Sequence, residues 1–249
     1  MKNKIIFYSS VEGIEKIMPI IPSKEYKHQW LKKALDDFNE KDLNISNKNE
    51  NGKITNVTRC PGILTIKNKG WLLRTWQDIE INFENENYSW KTPMNQKTLS
   101  NNITDQQITQ HDNNLFFKYM TNWPKNSYDG ILKINTPWFA DIPKGYLLYQ
   151  FNPAYHDENR FTSLPGIYSP KYGSAELNVP IIFHLKNEKC IIKAGTPIAQ
   201  FILFKDEDIN FENIYIKENK ELDKKQKITA IFNNMSFKKI YNNITNFYK

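Results

Sequence analysis

The chain has 249 residues and a formal net charge of +7, with 34 Lys and Arg against 27 Asp and Glu. That length suits one large domain, and an aromatic content of 14% can supply a sizeable core, which excludes a disordered chain. The basic excess carries less weight than it suggests. Only Arg59, Arg74 and Arg160 are Arg, a skew toward Lys that fits an AT-rich coding bias. The charges are also interspersed: 10 Lys face 8 acids in residues 1–53, and 9 face 7 in 205–249. No basic stripe forms, so a mixed solvated surface is favoured over a nucleic-acid footprint.

Cys60 and Cys190 show no CxxC or other metal spacing and lie in apolar stretches, so both are expected as buried free thiols in a reducing compartment. No leader pattern and no apolar run near the ~20 residues of a membrane span is read. The expectation is an intracellular protein without a membrane partner.

Taken in order, Met1–Ser10 (KIIFYSS) reads as a short strand. Trp30, Leu31, Ala34, Leu35 and Phe38 then recur at helical spacing, predicting an amphipathic helix from about Lys24 to Asn39. Residues 40–53 read as a polar loop. Val57–Phe83 is the first strong β segment, with an NKG turn between two apolar runs and alternation in DIEINF. In the polar stretch 85–114, YSWKTP reads as a strand and TLSNNITDQQITQHDNN as weakly structured. Leu115–Trp123 reads as another strand.

Ile134–Phe204 alternates short apolar runs with Pro/Gly turns, the pattern of a barrel or folded-over sandwich. Beyond it, Ile228, Ile231, Phe232, Met235, Ile240, Ile244 and Phe247 suggest terminal helices. The expected architecture is mainly β in one domain, 1–249. It comprises a strand–helix lead-in at 1–40, a β core at about 54–204 and a helical appendage at 212–249.

Three groups of residues could carry chemistry. In AGTPIAQFILF, Gln200 is one amide within an apolar strand and calls for a buried hydrogen-bond partner, backbone included. In AYHDENRF, His156, Asp157, Glu158 and Arg160 form the densest reactive cluster. As a strand, it would put His156 and Glu158 on one side as a two-ligand metal pair, with Arg160 gripping an anion. The bland reading is an exposed polar loop. In GWLLRTWQD, Arg74 lies between Trp71 and Trp76. It could pair with Asp78, or bind an anionic ligand beside aromatic walls extended by Trp138 and Tyr146. A structural aromatic–Arg cluster is the competing reading. No nucleophile elbow, P-loop, HExxH or dinucleotide fingerprint occurs.

The AGTPIAQ strand resembles the late strand of the dUTPase and dCTP deaminase superfamily, whose fold is the β-clip. The upstream GIYSPKYGSAELNV resembles that superfamily's G-x-I-D-x-x-Y-x-G signature, with Gly166, Tyr172 and Gly173 in comparable places. Ser169 stands where the acid that activates water would be, and a hydroxyl without a base cannot replace it. More of the chain resembles a domain family of unknown function from tailed phages and some bacteria, through RCPGILTI, GWLLRTWQDIEI, WFADIPKGYLLYQFNPAY and IIKAGTPIAQFILF.

These resemblances imply a dUTPase-like β-clip core, with an N-terminal helix and C-terminal helices about it. They also imply a non-catalytic protein that binds a small ligand or a protein partner, and a homo-oligomer, a trimer by analogy. Two alternatives stay open: a divergent metal- or nucleotide-dependent enzyme using the His156–Arg160 cluster, and a virion or assembly component. The binding candidates are Arg74, Trp71, Trp76, Asp78, His156, Glu158, Arg160, Ser169, Tyr172 and Gln200, with no catalytic residue and no cofactor assigned.

Overall fold

Alternation of apolar and polar residues, punctuated by turns, becomes fifteen strands among the described residues. The computed structural model describes residues 4–9, 11–39, 60–93, 107–111, 118–120, 122–173, 175–208 and 210. Met1–His28 with Ile66–Glu207 make one compact unit, and Gln29–Thr65 with Asp208–Lys249 make a second. The expected C-terminal helices at 212–249 lie outside the described residues.

The first unit is mainly β. Its strands are β1 (Ile6–Ser9), β2 (Ile21–Pro22), β3 (Trp71–Arg74), β4 (Ile79–Glu84), β5 (Asn87–Lys91), β6 (Ile108–Gln110), β7 (Leu132–Ile134) and β8 (Trp138–Asp141). They continue as β9 (Tyr146–Phe151), β10 (Phe161–Ser163), β11 (Gly166–Tyr168), β12 (Ala175–Glu176), β13 (Val179–Phe183), β14 (Lys189–Ile192) and β15 (Pro197–Lys205). Four antiparallel sheets result, ordered β1-β8-β12, β10-β13-β7-β6, β11-β9-β15-β3-β2 and β14-β4-β5.

The five-stranded sheet matters most for function. Its centre is β15, which pairs with β9 (Gln200↔Phe151) and with β3 (Gln200↔Leu72). Directly paired residues share a face and neighbours along a strand alternate. One face therefore carries Leu73, Leu148 and Phe201, all at 2% exposure or less and all within the main core. Ile79, Ile81, Phe83, Ile134, Ile181 and Phe183 close that core from the other sheets. The opposite face carries Leu72, Arg74, Phe151 and Gln200.

Gly70 sets the approach of β3 to β15. It sits at φ +73°, and a Cβ there would lie 1.7 Å from the Phe201 carbonyl oxygen. No side chain fits, so glycine is obligatory at this close pass.

Several expectations need correcting. Pro61–Asn68 is a helix, α3, rather than a strand. Pro61 occupies its first position, where a missing N–H costs nothing, and Leu64 N donates to Cys60 O at 3.1 Å. The helix over Lys24–Asn39 starts later. Ser23–Glu25 is a 3-10 turn, and α2 runs Gln29–Asn39, after α1 (Ile14–Ile17). Within Leu115–Trp123, Lys118 and Tyr119 lie in a 3-10 turn and not in a strand. Cys190 is buried as expected, but Cys60 is exposed at the start of α3; both are free thiols.

Candidate functional site

The turn GTP feeds β15, and Gln200 follows three residues into the strand. Its side chain is 1% exposed. Nε2 donates to the carbonyls of Ile66 at 2.8 Å and Lys69 at 2.7 Å, and Oε1 accepts from Ala154 N at 2.9 Å. The amide therefore ties the last turn of α3 to the loop that follows β9. Both amide hydrogens are consumed, so Gln200 acts on this face as a tie between backbone segments.

Near that tie in the fold, three stretches distant in sequence, 19–28, 67–74 and 156–157, carry buried or half-buried polar groups. Arg74, at the end of β3, donates from one terminal nitrogen to Pro19 O at 3.2 Å, while its buried Nε has no partner. Burial pushes its pKa down, and the Tyr26 phenol opposes this only in part. Lys67 on α3 is 5% exposed, and its ammonium donates to Asn68 Oδ1 at 3.0 Å; burial lowers its pKa as well. Among the described residues, no carboxylate forms an ion pair with either cation.

Ser23 is fully buried where its backbone N donates to Gly70 O at 2.9 Å, and its Oγ has no partner. Tyr26 and His28 meet edge to face, with centroids 4.9 Å apart. Electrostatics link these groups to the loop after β9: Tyr26 feels Arg74 and Asp157, and His28 feels Lys67, Asp157 and His156.

His156 lies on the loop after β9. Its Nδ1 accepts from Glu158 N at 3.1 Å, and its buried Nε2 has no partner. An imidazole that accepts at Nδ1 carries its hydrogen on Nε2. Burial holds the pKa below the ordinary value, which favours that neutral form. His156 is thus an unused buried donor.

Glu158 and Arg160 are placed differently. AYHDENRF is a loop between β9 and β10 and not a strand, so the predicted one-sided ligand pair does not arise. Glu158 Oε1 accepts from Arg160 N at 3.0 Å and Nε at 2.8 Å, and Oε2 accepts from a terminal guanidinium nitrogen. Arg160 also donates to Ile191 O at 2.7 Å. Among the described residues, no group of three or more His, Cys, Asp and Glu could hold a metal ion.

The remaining candidates scatter. Trp71 lies on the core face of β3, edge-on to Phe7 at 5.5 Å. Trp76 is 8% exposed within the core, and its Nε1 has no partner. Asp78 accepts from Lys193 Nζ and Ala194 N, both at 2.8 Å, so it does not pair with Arg74. Trp138 is a core residue and Tyr146 packs against that core, so neither extends an Arg74 wall. Ser169 Oγ caps the 3-10 turn Pro170–Tyr172 by accepting from Lys171 N, and Tyr172 is 90% exposed. Of the predicted residues, Gln200 shares a sheet face with Arg74 and is bonded through Ala154 N to the loop that carries His156.

No family model matches the chain, and no curated protein matches it. The site is therefore argued from its geometry alone. Ser23, Tyr26, His28 and Lys67 escaped the sequence reading because each is ordinary in its own segment.

One further polar chain was also hidden. Ser127 Oγ lies 3.0 Å from His184 Nδ1, and Thr162 Oγ1 lies 2.7 Å from His184 Nε2. Ser127 is 2% exposed, and the group orienting the imidazole is a hydroxyl rather than a carboxylate. With no charge to stabilise an imidazolium, this arrangement fits a structural hydrogen-bond chain. No helix among the described residues is long and apolar enough to cross a membrane.

Proposed function

We propose that this is a non-catalytic binding protein with a dUTPase-like β-clip core and phage kinship. Its small-molecule site is the Gln200 face of the five-stranded sheet. The observation that carries this reading is that Arg74 Nε on that face, and Ser23 Oγ and His156 Nε2 on segments bonded to its strands, are each buried polar atoms without a partner. Buried polar groups are almost always paired, and those that are not commonly await a ligand or an ordered water. The kinship rests on the AGTPIAQ strand and on the GIYSPKYG turn, and Ser169 in the acid's place supports binding without turnover.

Thermal melts of the full chain against nucleotides, 2-oxo acids and metal salts test the reading. Stabilisation by a small molecule that is lost in Arg74→Met supports it. Steady hydrolysis of dUTP or dCTP would sink the non-catalytic part. The same kinship gives the trimer, and a monomeric mass by light scattering across micromolar concentrations would remove it.

A further inference from the structure

We infer that the outer face of the β1-β8-β12 sheet is a docking surface for an arginine-bearing, extended segment of a protein partner. Alternation along these strands sends Phe7, Trp138 and Ala140 to the core and leaves Ile6, Tyr8, Phe139, Asp141 and Glu176 on the opposite side. Strand pairing then sets their order. Tyr8, Phe139 and Glu176 form one cross-strand row, and Ile6 and Asp141 form the next. Directly paired side chains stand about 4.5–5.5 Å apart at Cβ, so these residues make one continuous surface.

The first argument is the aromatic platform. The rings of Tyr8 and Phe139 are stacked, with centroids 5.5 Å apart and planes 18° from each other. Tyr8 is 41% exposed and Ile6 beside it 44%. A lone exposed apolar residue is ordinary. A stacked pair open to water offers a planar face on which a flat, weakly hydrated cation can lie.

The second argument is charge. Asp141 and Glu176 border the rings, and both are exposed. Neither forms an ion pair among the described residues, whereas Asp78, Glu80, Asp129 and Glu158 each hold a Lys or Arg. The face thus presents open negative charge in a chain whose net charge is +7. A guanidinium answers both features, because it stacks on a ring and forks a carboxylate with the same planar group. A lysine ammonium supplies only the charge.

The third argument is the sheet edge. β1 ends its sheet, and among the described residues no strand pairs with its outer side. A segment added there in extended form sends alternate side chains over Tyr8 and Ile6. A second copy of this chain suits the face less well, since Arg160 is held by Glu158 and Arg74 is half-buried.

The experiment is fluorescence anisotropy of the full chain with a labelled acetyl-Thr-Arg-Thr-Arg-Thr peptide and its lysine and citrulline counterparts. The positive net charge of the protein disfavours non-specific capture of cationic peptides, so binding reports the acidic face. The arginine peptide should bind, with affinity about tenfold lower for citrulline and reduced by less for lysine. Tyr8→Ser alone, and Asp141→Asn with Glu176→Gln together, should each weaken the arginine peptide about tenfold. Glu207→Gln, also exposed, should leave it unchanged. The two neutralising substitutions alter only exposed groups, so they carry the test even where Tyr8→Ser unsettles the strand.

No binding of the arginine peptide, equal binding of the citrulline peptide, or full affinity in the doubly neutralised chain overturns the inference. Dimerisation that is lost in Tyr8→Ser also overturns it, by giving the face to a second copy.

Discussion

Two of the three arginines in this chain solve the same problem in opposite ways. Arg160 places its guanidinium against Glu158, two residues away, whose hydrogen bonds raise its pKa, and adds the Ile191 carbonyl. Arg74 has one carbonyl contact, a buried Nε without a partner, and a pKa lowered by burial. A guanidinium that is already paired works as a strap, here joining the loop after β9 to β14. One whose Nε is buried without a partner lowers stability unless something outside the chain completes it. The difference teaches that residue type alone does not mark a site. What marks it is the unfinished pairing.

The largest expected effect breaks the scaffold that both regions share. Gln200→Leu leaves Ile66 O, Lys69 O and Ala154 N without their partner in part-buried surroundings and strips the buried amide's three bonds, at up to about 1–3 kcal/mol each. Urea unfolding should show a loss of about 3–5 kcal/mol, together with loss of any ligand-induced stabilisation. A loss below about 1 kcal/mol would show that the three bonds do not hold α3 to the loop.

A smaller effect is expected at Arg160's own partner. Glu158→Ala removes the bidentate pair, but the Arg160 side chain is 34% exposed and water takes over part of the lost interaction. About 1–2 kcal/mol should be lost by the same measurement, with any ligand-induced stabilisation that depends on Arg74 intact. Disappearance of that response would merge the two regions into one site and end the comparison.

The smallest effect is a pH dependence. Burial lowers the pKa of His28, His156 and His184 below the ordinary value of 6.5. His28 is faced by Lys67, Asp157 and His156, and His156 by Glu158 and Asp157. The folded state therefore holds these imidazoles neutral and binds fewer protons than the unfolded chain. Their stabilising contribution is complete above the ordinary value and is lost as pH falls through the depressed folded values. Melting temperature should decline on acidification from pH 7, and His156→Phe should flatten the decline. An identical slope in that variant would remove His156 from the explanation.

Much of the fold was legible because its grammar is local. Between Ile134 and Phe204, Pro and Gly punctuate apolar runs of strand length, and β7 to β15 follow that punctuation. Pro61–Asn68 was misread because a short apolar run bounded by turn residues looks the same as strand or helix. Its Pro61 was the overlooked signal.

The site was legible only at its arginine and its glutamine. Arg74 stood out as an Arg in a Lys-rich chain, and Gln200 as an amide in an apolar strand. Ser23 comes to this face through strand pairing beside Gly70, and Lys67 through the α3 turn that Gln200 holds. Such partnerships are tertiary, and no periodicity encodes them. The expected Arg74–Asp78 pair failed for the same reason, because Lys193 and Ala194, more than a hundred residues away, claim the carboxylate.

The most direct test compares Arg74→Met with Arg160→Met in ligand-free unfolding and in the presence of nucleotides and 2-oxo acids. Arg74→Met should leave ligand-free stability within about 1 kcal/mol of wild type, or raise it, because the substitution removes a buried Nε–H without a partner. It should also abolish any ligand-induced rise in melting temperature. Arg160→Met should destabilise and keep that rise. Equal destabilisation by the two variants, with the ligand response intact in Arg74→Met, would contradict the account.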